Sequence, residues 1–151
     1  SGNQSNELAT AADFSETSLE QILINISNMD DDRGIPIAAM ARCLVIPTAL
    51  QFDAERVLNS NLRSATAEND INANMSMGML PDGVKVNQRL TDTDAWYIKT
   101  DVPDGMKMFQ RRPLKKGMEG DFESGNVRYK VSERYSFGWT DWRGMFGSPG
   151  A

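Results

Sequence analysis

Apolar residues recur at helical spacing in the first part of the chain and at strand spacing in the last part. Thr17–Glu20 matches a capping box, in which the Thr17 hydroxyl and the Glu20 carboxylate accept hydrogen bonds from backbone amides. This pattern predicts an amphipathic helix over about residues 17–29, after a flexible polar lead-in over residues 1–15. The apolar face of the helix comprises Leu19, Ile22, Leu23, Ile26 and Met29.

A continuous apolar run, Cys43–Ile46, ends at Pro47 and predicts a strand that is buried on both faces. A second helix follows, with Thr48 as its N-cap and Gln51 three residues later as the partner of that cap. The helix extends to about Asn59, and its apolar side comprises Leu50, Ala54, Val57 and Leu58.

A long segment, Ser60–Gly83, is rich in Asn, Ser, Met and Gly and has little periodicity, so it is predicted to be a loop. Within it, Met75, Met77 and Met79 alternate like one face of a strand. Their flexible thioethers can pack against the core or the loop, or against the surface of a partner. We favour packing within the chain and keep the partner contact as the alternative.

Alternating patterns predict four strands in the second half of the chain. Three of them are short: Val84–Leu90, a segment around Trp96–Thr100, and Met106–Arg111. The fourth is the clearest, because alternate residues between 127 and 139 are mostly apolar and those between them are mostly polar. Helices early and strands late indicate the α+β class. We expect four aromatic side chains to pack in the core: Trp96, Tyr129, Tyr135 and Trp139.

The composition restricts the function classes. The formal charge of −5 repels phosphate backbones, so nucleic-acid binding is disfavoured as the main activity. The absence of His removes the usual proton shuttle and the commonest transition-metal ligand. No apolar run approaches the roughly 18 residues that a membrane-spanning helix needs. The basic stretch Arg111–Gly117 is therefore interpreted as an exposed, solvated segment and not as a nucleic-acid patch.

Three groups of residues could carry chemistry, and each has a simpler structural explanation. The aspartates of Asp30–Gly34 lack the alternate spacing of a calcium loop, so a turn that ends the first helix is favoured. Asp92 and Asp94 could act as an acid pair, but their spacing is typical of a turn. Cys43 sits in an apolar run, where a buried thiol is favoured over a nucleophile. No catalytic, cofactor or metal residue is assigned.

Three landmarks, in this order, resemble the major capsid proteins of tailed bacteriophages. The first is Cys43–Leu50, in which an apolar strand ends in proline before a helix. The second is Leu90–Tyr97, and the third is the aromatic strand end Tyr135–Gly144. The resemblance covers about residues 17–147 and implies the Hong Kong 97-like capsid fold, an α+β fold with an A-domain and a P-domain.

Under this resemblance, residues 16–118 form mainly the A-domain and residues 119–151 return into the P-domain. The family also has an N-terminal arm, an extended loop and a long spine helix, which should precede this sequence. We therefore expect the chain to be part of a longer protein.

The resemblance implies a structural, non-enzymatic subunit of a phage or prophage capsid that assembles into pentamers and hexamers around a genome. Its implied partners are neighbouring copies, with a scaffold and a maturation protease as possible further partners. No cofactor, membrane or specific nucleic-acid sequence is expected. The implied location is the virion capsid, after synthesis in the cytoplasm of a bacterial host.

Contacts between subunits need adaptable loops and complementary charge. We expect the basic stretch of one copy to face the acidic turn of the next. The candidate contacts are Asp31, Asp32, Met75, Met77, Arg111, Arg112, Lys115 and Lys116. A small non-catalytic phage head-completion or adaptor module is the alternative, since it too would have polar loops and no catalytic residues. An acid-pair hydrolase is the third hypothesis.

Overall fold

Two sheets that share no strand make up the β structure of the computed structural model, which describes residues 5–62 and 70–151. We call the four-stranded sheet with its helices and connections the body, and residues 106–139, the two-stranded sheet, the arm. The helices are α1 (Glu16–Ser27), α2 (Gln51–Asn59) and α3 (Ala73–Met77). The strands are β1 (Ala41–Ile46), β2 (Val84–Val86), β3 (Trp96–Thr100), β4 (Met106–Gly120), β5 (Val127–Trp139) and β6 (Met145–Ser148).

Helix α1 begins at Glu16, one residue earlier than predicted, because a different residue caps it. The Ser15 hydroxyl accepts from the Ser18 amide at 3.2 Å, and the Ser18 hydroxyl accepts from the Ser15 amide at 2.9 Å. This is a capping box made by two serines. The assignment of the cap to Thr17 and Glu20 was therefore wrong, while the predicted apolar face of the helix is confirmed as buried.

The core lies between α1 and the four-stranded sheet, whose order is β2-β1-β3-β6. Strand β1 lies between β2, to which it is parallel, and β3, to which it is antiparallel. Leu44, Ile46, Trp96 and Ile98 from these central strands are fully buried. Burial of such side chains contributes roughly 1.5–3 kcal/mol each. The predicted strands at Cys43–Ile46 and Trp96–Thr100 are both confirmed.

The chain after β1 makes a short 3₁₀ turn, Thr48–Leu50, before α2 starts. Neither helical element has a side-chain hydrogen bond at its N-cap, so the cap assigned to Thr48 was wrong. Pro47 holds an extended backbone with φ −71° and ends the strand, as predicted. Helix α2 then reaches Asn59, the predicted end, and buries Ala54.

The segment predicted as a structureless loop contains helix α3. The Asn72 side chain accepts from the amides of Asn74 and Met75 at 3.0 and 3.3 Å, and it donates to the Val57 carbonyl at 2.6 Å. Gly78 ends α3 in the left-handed conformation with φ 60°. The strand-like reading of the methionines was therefore wrong. The part of this prediction that falls on residues 63–69 lies outside the described residues.

Residues 6–12, predicted as part of a flexible lead-in, are attached to the last strand. Asn6 donates to the Met145 carbonyl at 3.1 Å, and the Gly147 amide donates to the Asn6 carbonyl at 3.0 Å. The Ala12 carbonyl accepts from the Trp96 indole at 3.2 Å and from the Ser148 hydroxyl at 2.8 Å. This segment thereby covers one edge of the sheet.

Among the described helices, none is long and apolar enough to cross a membrane.

The two strands of the arm leave the body at one tight junction. The carbonyl of Asp104, a residue with a left-handed φ of 66°, accepts from the Asp141 amide at 3.0 Å and from the Thr140 hydroxyl. The Thr140 amide donates to the Gly105 carbonyl at 3.2 Å. Gly105 and Gly144 cross so closely that a Cβ on Gly144 would lie 2.5 Å from the Gly105 Cα. This junction fixes where the arm starts.

The glycine crossing at this junction should not tolerate a methyl group. We predict that Gly144→Ala forces the two backbones apart and lowers the free energy of unfolding by about 1–3 kcal/mol. Urea denaturation followed by tryptophan fluorescence measures the change. Gly117→Ala in β4 is the control, because its added Cβ meets nothing within 4 Å. Equal stability of Gly144→Ala and the wild type would contradict the close crossing.

Candidate intersubunit surface

The register of β4 and β5 places most of the apolar side chains of the arm on one face, whereas Phe109, opposite Ser136, lies on the other. Residues that pair directly across antiparallel strands share a face, and the pairs Met106–Trp139, Met108–Phe137 and Met118–Tyr129 are all apolar. We call this the apolar face. Its members are Met106, Met108, Met118, Val127, Tyr129, Val131, Tyr135, Phe137 and Trp139.

All nine side chains of the apolar face are exposed, with relative accessibilities from 51% to 78%. The prediction that Tyr129, Tyr135 and Trp139 pack in the core was therefore wrong, whereas Trp96 is buried as predicted. Alternation in sequence marks an apolar face, but it does not say which element covers that face. Within the described part of the chain, no element packs over it.

The opposite face of the arm is basic. Its cations are Lys107, Arg112, Lys115, Arg128, Lys130 and Arg134, and Arg128 is paired across the strands with Glu119. Arg112 lies directly opposite Arg134, a like-charge pair that destabilises a sheet unless an anion approaches it. The geometry of this face therefore favours an acidic partner.

The predicted basic stretch is part of strand β4 and not a connection after a shorter strand. Two irregularities in register, between Gln110 and Arg112 and between Arg112 and Lys115, accommodate it. Pro113 lies in the second one, where a missing backbone N–H interrupts no regular pairing. Arg112 and Lys115 then lie on the basic face, Arg111 lies in the first bulge, and Lys116 falls on the apolar face opposite Val131.

The charge of the chain is divided sharply between the arm and the rest. Residues 106–139 contain eight Lys and Arg and four Asp and Glu, a net charge of +4. Because the whole chain carries −5, the remainder carries −9. Such a division gives opposite potentials to two surfaces of one molecule.

The acidic turn at Asp30–Gly34 is closed by its own side chains and by Arg143. One Asp31 carboxylate oxygen accepts from the amides of Arg33 and Ile35 at 2.7 and 3.0 Å. Arg143 donates to Asp32 at 2.7 Å, and this hydrogen bond raises the pKa of the guanidinium. The predicted turn is confirmed, and it lies beside the residues that follow the arm.

The predicted contacts Met75 and Met77 lie on helix α3, and their side chains are exposed. Met77 also lines a surface groove of about 310 Å³ together with Leu23, Met40 and Met79, and the charged residues Arg42 and Asp101 line it as well. Met40 and Met77 are 65% and 69% exposed. We call this the methionine groove. Its thioethers can adapt readily to the surface of a partner.

The predicted contact residues therefore fall into three groups, which the structure does not bring together within one copy. The basic residues lie on the arm, the aspartates lie in a turn near the arm junction, and Met77 lies at the methionine groove. Sequence reasoning missed the apolar face and the fully exposed Phe122 in the turn between β4 and β5. The alternation at 127–139 contained the signal for the face, but it was assigned to the core.

The groups considered for catalysis take the structural roles that were favoured. Asp92 accepts from the Asp94 amide at 3.5 Å, which confirms the turn. Their shared side-chain hydrogen bond lowers the pKa of Asp92 and raises that of Asp94. Cys43 is buried, and burial raises the pKa of its thiol, so the reactive thiolate is disfavoured.

Comparisons with known proteins agree with a structural role. The model of a family described as phage capsid protein matches residues 2–147. Among solved structures, the chain is similar to the virus-like particle from Pyrococcus furiosus, with a TM-score of 0.52 and 13% sequence identity. The match covers 94% of this chain and 55% of that one, so this chain spans about half its length. At this identity the likeness concerns the fold alone. No curated protein matches the chain in sequence.

The Asp92–Asp94 pair should give the stability of the fold a defined pH dependence. Because the pKa of Asp94 is raised on folding, its contribution is present at low pH and is lost as pH rises through that pKa. Asp94→Asn removes the like-charge contact and retains a donor, so we predict a higher Tm than wild type at pH 7.

Thermal unfolding at pH 7 and at pH 3 tests this prediction. The advantage of Asp94→Asn should shrink or vanish at pH 3, where the wild-type carboxyl is protonated. Asp70→Asn, an exposed aspartate on the body, serves as the control. A Tm difference for Asp94→Asn that is the same at both pH values would show that the pair does not share a proton.

Proposed function

The chain belongs to the phage capsid protein family, and from this premise we propose that it is the major capsid subunit of a tailed phage or prophage. Under this proposal, copies assemble into pentamers and hexamers that close an icosahedral shell around the genome. The observation that carries the proposal is the arm, which exposes nine large apolar side chains that a soluble monomer would rarely leave uncovered.

The separation of charge supports a ring-forming mode of contact. When a patch on one copy meets a different patch on the next, the contact is heterologous, and rotation can close it into a ring. The arm carries +4 and the remainder of the chain −9, so this arrangement brings opposite charges together. We propose Arg111, Arg112, Lys115 and Lys116 as its basic side.

For the acidic side of these contacts we retain Asp31 and Asp32, with Met75 and Met77 as apolar contacts. One carboxylate oxygen of Asp31 accepts hydrogen bonds within its own turn, and Asp32 is bound to Arg143. A neighbouring arm would therefore add a third cation to this turn, whose three carboxylates lie beside the guanidiniums of Arg33 and Arg143.

The structure suggests how the chain would divide in a Hong Kong 97-like subunit. We propose that the body corresponds to the A-domain and the arm to long strands of the P-domain. The boundary expected between residues 118 and 119 falls inside β4, so the ends of the arm at 105–106 and 139–140 are a better physical division. Residues 140–151 then return to the body through β6.

This assignment also suggests the setting of the protein. We propose a location in the virion capsid after synthesis in the bacterial cytoplasm, with a scaffold and a maturation protease as partners during assembly. We propose no enzymatic activity, cofactor, membrane partner or specific nucleic-acid sequence.

Negative-stain electron microscopy of the protein, expressed with the genes that flank it, tests the proposal directly. We expect closed shells, or rings of five and six copies. Small monodisperse particles that bind one other phage protein would instead support a head-completion or adaptor module. Hydrolytic activity with an acidic optimum would support the acid-pair enzyme, and either result would overturn the capsid assignment.

Charge reversal on the arm should block assembly without unfolding the protein. We predict that Lys115→Glu with Lys116→Glu reduces the yield of shells or rings several-fold, because the arm then loses its positive net charge. Lys85→Glu with Arg89→Glu is the matched control, since it makes the same change of charge at exposed positions on the body. Circular dichroism checks that both variants fold. Shells of normal yield and shape from the arm variant would count against the assignment.

A further inference from the structure

We propose that the methionine groove binds one soft monovalent metal ion, of the class of Cu(I) and Ag(I), through the thioether sulfurs of Met40, Met77 and Met79. Thioether ligands are soft, and they select soft ions over hard divalent cations. This inference goes beyond the proposed function and does not depend on it, because it concerns three side chains of the body and one small ligand.

The three thioethers come together because two segments that are distant in sequence lie side by side. Met77 is the last residue of α3, and Met79 follows two residues later. The Asp82 amide donates to the Arg42 carbonyl at 2.9 Å, so the chain that follows α3 lies beside the start of β1. Met40 immediately precedes that strand, and all three methionines line the same groove of about 310 Å³.

The backbone around the groove is held in place, whereas its thioethers can turn. The Met40 amide donates to the Asp101 carboxylate at 2.8 Å, and the Asp101 amide donates to the Met40 carbonyl at 3.0 Å. The side chains of Met40 and Met77 are nevertheless exposed, and Met79 is half-buried. A methionine side chain has three rotatable bonds, so exposed thioethers can turn their sulfur atoms towards one ion without movement of the backbone.

The charge around the groove favours a cation. Two charged side chains line it, those of Arg42 and Asp101. Arg42 is ion-paired with Asp82 at 3.1 Å, whereas the Asp101 carboxylate accepts from a neutral backbone amide, which leaves it its negative charge. The body as a whole carries −9, so the wider field also attracts cations.

The available ligands determine the class of ion. Hard cations such as Ca²⁺ and Mg²⁺ need several oxygen ligands, and the groove offers one carboxylate, that of Asp101. The chain has no histidine, and its single cysteine, Cys43, is buried. Residues 1–4 and 63–69, which lie outside the described part, contain no Met, Cys or His and so add no soft ligand. Thioethers are therefore the soft ligands that this chain offers at its surface.

Thioether ligands would give the site a distinctive pH dependence. A thiol or an imidazolium must lose a proton before it binds a metal ion, so the affinity of such a site rises with pH. A thioether carries no proton that the ion must displace. The affinity of the methionine groove should therefore be nearly the same at pH 6 and at pH 8.

Titration with silver nitrate tests this site, because Ag(I) has the charge and the ligand preference of Cu(I) and needs no reductant. Isothermal titration calorimetry in chloride-free buffer, at pH 6 and at pH 8, measures affinity and stoichiometry. Met40→Leu with Met77→Leu, the groove variant, removes two sulfur atoms and keeps apolar side chains of similar size. Met108→Leu with Met118→Leu is the matched control, since both are exposed methionines of the arm. Circular dichroism checks folding.

We expect one Ag(I) per chain in the wild type, and the same affinity in the arm control and in Cys43→Ala, which removes the thiol. The groove variant should bind at least ~10-fold more weakly, because loss of even a hydrogen-bonded neighbour of a metal ligand typically costs that much affinity. Nuclear magnetic resonance of isotope-labelled methionine methyl groups identifies the ligands in the wild type. The signals of Met40, Met77 and Met79 should shift together and saturate at one equivalent.

Several results would overturn the inference. Absence of binding by the wild type, or a groove variant that binds as tightly as the wild type, would show that the groove is not a site. Loss of binding in Cys43→Ala, or an affinity that rises with pH, would assign the ion to the thiol. Shifts of the arm methionines at the same silver concentration would show binding to any exposed thioether. The resonance titration needs no variant to fold, so it decides the question by itself.

Discussion

A sheet of two strands cannot bury its own apolar face, and this constraint governs the arm. The four-stranded sheet of the body solves the same problem internally, because α1 and residues 6–12 lie against its strands and cover Trp96 and Leu44. The arm has no such cover among the described residues. The described chain is therefore a folded body joined to a long apolar surface, a combination that needs a further element to cover it.

The junction between arm and body fixes the direction in which this apolar surface projects. The carbonyls of Asp104 and Gly105 accept hydrogen bonds from the backbone amides of residues 141 and 140, and Gly105 crosses Gly144 without room for a side chain. Arg143 follows immediately and ties this segment to the acidic turn. The direction in which the arm projects is thus set by backbone contacts and by the partly buried side chain of Arg143.

Local patterns predicted most elements of the body and the class of the fold. The apolar face of α1, the strand before Pro47 and the strand at Trp96 followed from periodicity, because local burial and side-chain spacing are directly related there. The cap at Ser15 and helix α3 were missed. Several Ser, Thr and Asn residues lie near each helix start, and the sequence does not show which of them forms the capping hydrogen bond. The candidate surface was predicted only in part. The strand at 127–139 was recognised, but whether Tyr129 meets a core or a partner depends on atoms far away in sequence.

The two bulges in β4 keep its apolar side chains on one face only because there is an even number of them. Each adds one residue, and a single added residue would move every following side chain of β4 to the other face. Because there are two, Met108 and Met118 lie on the same face, opposite Phe137 and Tyr129. A deletion of one residue between 111 and 114 would place Met118 among the cations, whereas a deletion of two would preserve both faces. Changes of length in this stretch are therefore compatible with an intact arm only in pairs.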